Sequence, residues 1–335
     1  MNDILLFFLS FIVSLIALVV VKKLVEKFGF YDHPTEELKQ HERPIPYVGA
    51  AVWLSFMIML LFLRLSTSFE TGTLHSLRGI VYGGTMIFAL GILDDILDLH
   101  FVTKFIFQIA AAGILVSYQI RIDIFPSLIL NILFSVFWLV LVINAVYIID
   151  IKDGLASGVA FIAAIGFYAV TLPTEHLYVN FAALILAGVL LGFWLFNKPP
   201  AKVFLGDAGS LFIGFILAAL SMGAEYSMKH PVGLSAPLLI LGIPIYDTLL
   251  VSFFRFRSGK SIFKGSNDHY ALRLECMGFS VWQIDLISYL ISAVLALTAF
   301  AVTQLPAGPA FVVMALVFFA ALIGSAVLGT VKVKD

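Results

Sequence analysis

The sequence predicts an all-α fold: a polytopic bundle of about 11 (10–11) transmembrane helices with its polar chemistry gathered at one membrane interface. Three observations predict it. The 335 residues are 61% hydrophobic and 12% charged, with a mean hydropathy of +1.06, whereas a soluble domain is about 45–50% apolar and about 25% charged. The apolar residues form long runs broken by short polar connections, and the charges collect at one set of run ends. No water-soluble core could hide that much apolar surface, but a bilayer can take it.

In chain order the apolar segments run approximately 4–21, 47–63, 79–93, 104–120, 127–146, 154–172, 178–196, 210–227, 233–253, 283–303 and 309–330. Each is predicted to be a helix, because lipid offers no partner to an exposed backbone amide. The first begins with Asn2 and Asp3, has no basic region before it and shows no small-residue cleavage site. It is therefore expected to be a retained span rather than a signal peptide. Pro126, Pro173, Pro231 and Pro306 mark connections on one side. No long polar insertion, low-complexity tract or internal repeat interrupts the pattern, so residues 1–335 are expected to form a single domain. The lone cysteine, Cys276, excludes an intramolecular disulfide and a cysteine-based metal site.

The basic residues set the orientation. Of the 20 Lys and Arg residues, Arg64, Arg78, Arg121 and Lys229 fall on one side and the remaining 16 on the other. The richer side is expected in the cytoplasm, with the N-terminus outside and the C-terminus inside.

The carboxylates follow the same side: Asp94, Asp95, Asp98, Asp150, Asp153, Asp207 and Asp268 all sit at or near predicted cytoplasmic span ends. One such residue would merely solvate a helix end. Four clusters on one face point to a site, because charges there are costly unless they meet water, a partner or a metal. In the first cluster, Asp94 and Asp98 are spaced i, i+4 on a helix, while Asp95 points about 100° away. Like charges at that spacing call for a cation between them, and Mg²⁺ characteristically takes one or two carboxylates together with phosphate oxygens. In the second cluster, Asp150 and Asp153 are spaced i, i+3, so a helix would present them together, with Lys152 expected to pair with an acid. In the third, Gly206, Asp207, Ala208, Gly209 and Ser210 precede an apolar run, as in a phosphate cradle at a helix N-terminus. Ser210 could equally be a simple N-cap. The fourth is the long loop from Arg255 to Trp282, carrying Arg255, Arg257, Lys260, Lys264, Asp268, His269 and Arg273. The positive-inside rule explains most of its lysines, and His269 is the candidate phosphate contact or acid.

Together these blocks resemble the polyprenyl-phosphate N-acetylhexosamine-1-phosphate transferases, which include the phospho-N-acetylmuramoyl-pentapeptide transferase. Lys39-Gln-His41-Glu-Arg43-Pro-Ile-Pro46-Tyr-Val-Gly49 resembles the family's first cytoplasmic loop, and Asp94-Asp95 its acidic pair. Asn144 to Leu155 resembles its NAxNxxDGxDGL segment, and Phe204 to Ser210 its FLGDxGS block. Asp268-His269 falls where the family has a histidine-rich loop. The departures are Ala50 for a glycine, Tyr147 for an asparagine, Ile151-Lys152 within the DGxDGL element, and Ala271 and Leu272 where relatives carry further histidines. They argue against the muramoyl-pentapeptide branch.

The resemblance implies a bacterial inner-membrane enzyme whose active site lies at the cytoplasmic interface. It would transfer an N-acetylhexosamine 1-phosphate from a UDP-N-acetylhexosamine to undecaprenyl phosphate, releasing UMP, as the first membrane step of a cell-surface glycan such as O-antigen. It implies Mg²⁺, with Mn²⁺ as an alternative ion, held by Asp207 and Asp95. Asp94 would take a proton from the acceptor phosphate or orient it. Asp150 and Asp153 would serve the uridine-sugar side, and His269 would steady phosphate charge. Lys39, His41, Asn144, Gly206, Ser210, Arg255 and Arg257 are the expected substrate contacts. A homodimer is compatible with this, and no nucleic-acid partner is expected. Two other classes compete: a catalytically silent scaffold, which the Tyr147 and Lys152 departures keep open, and a transporter. A transporter would place carboxylates near the bilayer midplane, whereas these cluster at one interface.

Overall fold

The computed structural model describes residues 2–29, 31–32, 45–67, 71–174, 177–224, 226, 230–261, 266–331 and 333. Lys39 and His41 lie outside the described residues. Helices dominate: α1 (Asp3–Phe28), α2 (Ala50–Ser66), α3 (Thr71–Leu97), α4 (Phe101–Ser117), α5 (Leu128–Ile148), α6 (Leu155–Thr171), α7 (Leu177–Asn197) and α8 (Gly206–Met222). There follow α9 (Ala236–Ile240), α10 (Gly242–Arg257), α11 (Tyr270–Cys276), α12 (Val281–Gln304) and α13 (Ala307–Gly329). Among the described residues, a strand pairing two residues long on each side sets Tyr31–Asp32 (β1) antiparallel to Ile45–Pro46 (β2), and Tyr47 makes an isolated bridge to Phe204.

This is a polytopic helical membrane protein. Among the described residues, six helices are long and apolar enough to cross a membrane alone. The segment Pro231–Ile240 and α10 form a bent pair, broken by 78°, and α2, α4, α6 and α8 are shorter apolar helices. These elements match the predicted segments one for one, with shifted ends. Helix α3 starts at Thr71 rather than near 79, and α8 at Gly206 rather than 210. The ninth segment is broken because Pro244 has no amide hydrogen for the carbonyl of Ile240, so the ladder cannot run through.

Burial runs from α8 outward. From Gly206 to Met222 every residue of α8 is buried except Asp207, and α3 and α5 pack along it. Close approach to α3 requires Gly91, where an added Cβ would stand 2.4 Å from Ala208 Cα. The buried Trp138 Nε1 donates to Ser221 Oγ at 2.7 Å, so the apolar interior holds no penalty at that pair. At the periphery the pattern inverts. Of the 23 residues of α13 only Ala310 and Leu328 are buried, while Phe311, Phe318 and Phe319 point outward, as suits a helix solvated by acyl chains.

Candidate active site

Six helix ends converge: the C-termini of α3, α5 and α7 and the N-termini of α4, α6 and α8. Near the end of α3, Asp94 is almost fully buried, and its carboxylate pairs with the ammonium of Lys104 from α4. The same ammonium lies 3.4 Å from Asp207 Oδ2 and 3.5 Å from the Tyr147 hydroxyl. It also stands 5.1 Å from the centre of the Tyr147 ring. One lysine thus joins carboxylates from α3 and α8, the geometry that makes a buried pair tolerable.

The neighbouring Asp95 does different work. Its Oδ1 accepts the Asp207 amide at 2.7 Å and its Oδ2 the Ala208 amide at 3.1 Å. A carboxylate from α3 therefore caps α8 in trans, satisfying first-turn amides that have no partner inside their own helix. This arrangement needs a glycine at 206, where φ is +64° and an added Cβ would stand 2.9 Å from Asp95 Oδ1. Because α8 starts at Gly206, Ser210 is not its N-cap; the Ser210 hydroxyl donates to the Gly206 carbonyl at 2.9 Å.

Two of the spacing expectations are corrected. Asp98 does not stack on Asp94, because α3 ends at Leu97 and Asp98 sits beyond it at φ 46°, exposed. Asp94 instead shares the Lys104 ammonium with Asp207. Asp150 and Asp153 are not helical either: α5 stops at Ile148, and they lie on the turn before Gly154, the N-cap of α6. That turn still aims both into one pocket. Asp153 Oδ2 is fixed by the Ala201 amide at 2.8 Å. Lys152 pairs with Glu275 of α11 at 2.7 Å.

The pocket has a volume of about 330 Å³ and is lined by Tyr47, Tyr147, Asp150, Lys152, Asp153, Asn197, Phe204, Gly206, Asp207, Ser210 and His269. Burial pushes the Asp150 carboxyl up to about 7, and the negative charges of Asp95 and Asp153 push the same way. His269 enters from the connection before α11, with Nδ1 2.7 Å from Asp247 Oδ2.

Of the other expected contacts, Asn144 stands one turn behind the pocket, giving Nδ2 to Gln108 Oε1 and to the Val140 carbonyl, both at 2.7 Å. Arg255 is buried with Nε on the Ser261 carbonyl at 2.6 Å, and Arg257 is exposed at the end of α10. Neither arginine lines the pocket. Sequence reasoning missed Lys104, which the orientation count absorbed, and Asp247, an acid within an apolar run. That position was itself the available signal.

A hard cation fits this donor set. The carboxylates at the helix ends offer only oxygen, and each Asp95 oxygen accepts a single amide, leaving a lone pair. Among the described residues no three His, Cys, Asp or Glu side chains form a ready-made cage. That is compatible with Mg²⁺, which takes one or two carboxylates and draws its remaining ligands from water and phosphate.

Apolar helices around a buried interior, with carboxylates, a lysine and a histidine gathered where six of them end, define an integral membrane protein with an acidic pocket at its helix termini. A model of glycosyl transferase family 4 matches residues 77–225, the stretch that supplies Asp94 through Ser210. The chain is 31% identical over 303 residues to the "Probable undecaprenyl-phosphate N-acetylglucosaminyl 1-phosphate transferase" of Bacillus subtilis, covering 87% of this chain and 83% of that one. It is 30% identical over 312 residues to the "Decaprenyl-phosphate N-acetylglucosaminephosphotransferase" of Mycobacterium tuberculosis, covering 83% and 77%. To the "Phospho-N-acetylmuramoyl-pentapeptide-transferase" of Lactococcus lactis subsp. cremoris it is 34% identical over 196 residues, 55% of each chain. The chain belongs to glycosyl transferase family 4.

Proposed function

We propose that this protein transfers an N-acetylhexosamine 1-phosphate from a UDP-sugar to a polyprenyl phosphate, undecaprenyl phosphate in particular, at the start of a cell-surface glycan. An oxygen of the lipid phosphate attacks the sugar-linked phosphorus of the donor. The bond from that phosphorus to the bridging oxygen breaks, leaving UMP and a lipid diphosphate sugar. Such a reaction asks for positioning and charge neutralisation more than for covalent help.

The observation that carries this reading is that consecutive residues, His269 and Tyr270, line two different cavities. His269 lines the acidic pocket, while Tyr270 lines an apolar cavity of about 740 Å³ between α10, α12 and α13. A substrate with a charged head and a long apolar tail needs that pairing, and the relatives' names speak of polyprenyl phosphates. Asp207 and Asp95 would hold Mg²⁺, which when bound neutralises diphosphate charge. Asp94 and Lys104 would orient the acceptor phosphate, Asp150 and Asp153 would serve the uridine-sugar side, and His269 would contact phosphate. The excess of basic residues at the pocket's end of the bundle supports a cytoplasmic site, where a soluble nucleotide sugar is available.

The test incubates purified protein with undecaprenyl phosphate, Mg²⁺ and a panel of UDP-N-acetylhexosamines, following UMP and the lipid product. Release that needs lipid and metal, stops with EDTA and collapses in Asp207→Asn and Asp94→Asn is expected. Absence of release with every donor, from folded protein, would overturn the proposal and favour a silent scaffold.

A further inference from the structure

His269 of the acidic pocket is held from behind by a residue that does not line that pocket. Asp247 lies on α10, five residues beyond the 78° break, and is fully buried. Its Oδ1 accepts the Tyr270 amide at 2.8 Å, and its Oδ2 stands 2.7 Å from His269 Nδ1. A backbone N–H and a ring nitrogen directed one at each oxygen fit an acceptor-only carboxylate. With Asp247 accepting, His269 carries its proton on Nδ1, and Nε2 is the ring nitrogen left for the pocket.

Further contacts anchor the residues around this dipeptide. The Tyr270 hydroxyl bonds Ser288 Oγ of α12 at 2.8 Å. Arg273 gives Nη1 to the Leu328 and Val331 carbonyls at the end of α13 and Nη2 to Asp268 Oδ1 at 2.7 Å. Contacts from α12 and the end of α13 therefore anchor the Tyr270 and Arg273 side chains, whereas Asp247 alone among these contacts touches the His269 ring. Its part is chemical orientation as well as anchoring.

We infer that Asp247 is a positioning residue for the transfer, setting the tautomer of His269 so that Nε2 faces the phosphate being transferred. This rests on the reaction proposed above. Replacing Asp247 by Asn makes a sharp test, because the Tyr270 amide would claim the amide oxygen and turn the NH₂ group toward Nδ1. His269 would then be forced to accept at Nδ1 and carry its proton on Nε2, the reverse of the native state.

The experiment measures UMP formation by wild type, Asp247→Asn, Asp247→Glu, His269→Gln and the His269→Gln/Asp247→Asn double variant. Alongside, ¹⁵N-imidazole spectra of wild type and both Asp247 variants are recorded, with the His269 signal assigned by its loss in His269→Gln. Asp247→Asn should lower kcat about 100-fold, a size typical of losing one positioned acid–base group, with both KM values within about threefold. The double variant should be no slower than His269→Gln alone, and the His269 proton should move from Nδ1 to Nε2 in Asp247→Asn. Asp247→Glu, which keeps the acceptor, should retain the native tautomer and at least about a tenth of kcat; it carries the test if the Asn variant does not fold. Wild-type kcat in folded Asp247→Asn, an unchanged tautomer, or a double variant slower than His269→Gln by the full Asp247→Asn factor would overturn the inference. Failure of the wild type to release UMP would instead sink the transfer reaction, and the spectra would show whether the Asp247 contact stands without it.

Discussion

Lys104 holds Asp94 and Asp207 to a single ammonium, although 103 residues of chain separate Lys104 from Asp207. The lysine side chain is 15% exposed and that of Asp94 only 1%. Lys104→Met leaves Asp94 buried without its cation, and removing one partner of a buried pair costs about 3 kcal/mol or more. Chemical unfolding in micelles should show that loss, and UMP release should fall with it. Adding Asp94→Asn should recover most of the stability and none of the activity. An unfolding midpoint unchanged in Lys104→Met would refute the clamp.

Gly206→Ala places a Cβ at positive φ and within 2.9 Å of Asp95 Oδ1. The backbone strain alone costs about 1–2 kcal/mol. The methyl also pushes Asp95 off the α8 amides, so turnover should fall further than stability does. Asp95→Asn, which keeps the shape but weakens the cap, should lie between Gly206→Ala and wild type in thermal stability. Gly206→Ala with native stability would show that the trans cap is dispensable.

Asp150 gives a pH signature of definite sign. Its carboxyl is raised from 3.8 to about 7 by burial, with Asp95 and Asp153 adding to the shift. The folded state therefore binds that proton more tightly than the unfolded chain does. The resulting stability is present below about pH 4 and is lost as pH rises through about 7. Asp150→Asn cannot ionise, so its advantage over wild type should grow from near zero at about pH 4 to a plateau above about pH 7. After allowance for water at the half-buried pocket wall, the plateau should be about 1–2 kcal/mol. Thermal unfolding of both proteins at a series of pH values measures it, and an advantage largest at acid pH would contradict the assignment.

The apolar cavity can be narrowed without touching the acidic pocket. Gly324 of α13 lines it, and an added side chain first meets the Tyr246 hydroxyl, at 3.5 Å from Cβ. Gly324→Phe should raise KM for polyprenyl phosphate about tenfold, the worth of roughly two buried methylenes, and leave the donor KM unchanged. A donor KM that rises in step with the lipid KM would argue against a tail in this cavity.

Much of this was legible in the residues. Hydropathy located each apolar helix because the cost of burying polar backbone in lipid is read over one local window at a time. The acidic blocks were legible because carboxylates at the ends of apolar runs are rarely idle. Asp150, Asp153, Gly206, Asp207, Ser210 and His269 do share one pocket. The i, i+4 stacking of Asp94 on Asp98 failed because α3 ends one residue before Asp98, and helix ends are the least local of the features read from spacing.

What the sequence determined by itself, then, was the solvent, the number and order of the apolar helices, and the side on which the charges gather. Each follows from short-range chemistry repeated along the chain. Only the tertiary structure decided which charge meets which: Lys104 between Asp94 and Asp207, Asp95 on the amides of α8, Asp247 behind His269, and Arg255 and Arg257 outside the pocket. Those pairings join residues from different helices, where sequence spacing carries no distance and the packing of α3, α4, α8 and α10 sets every contact.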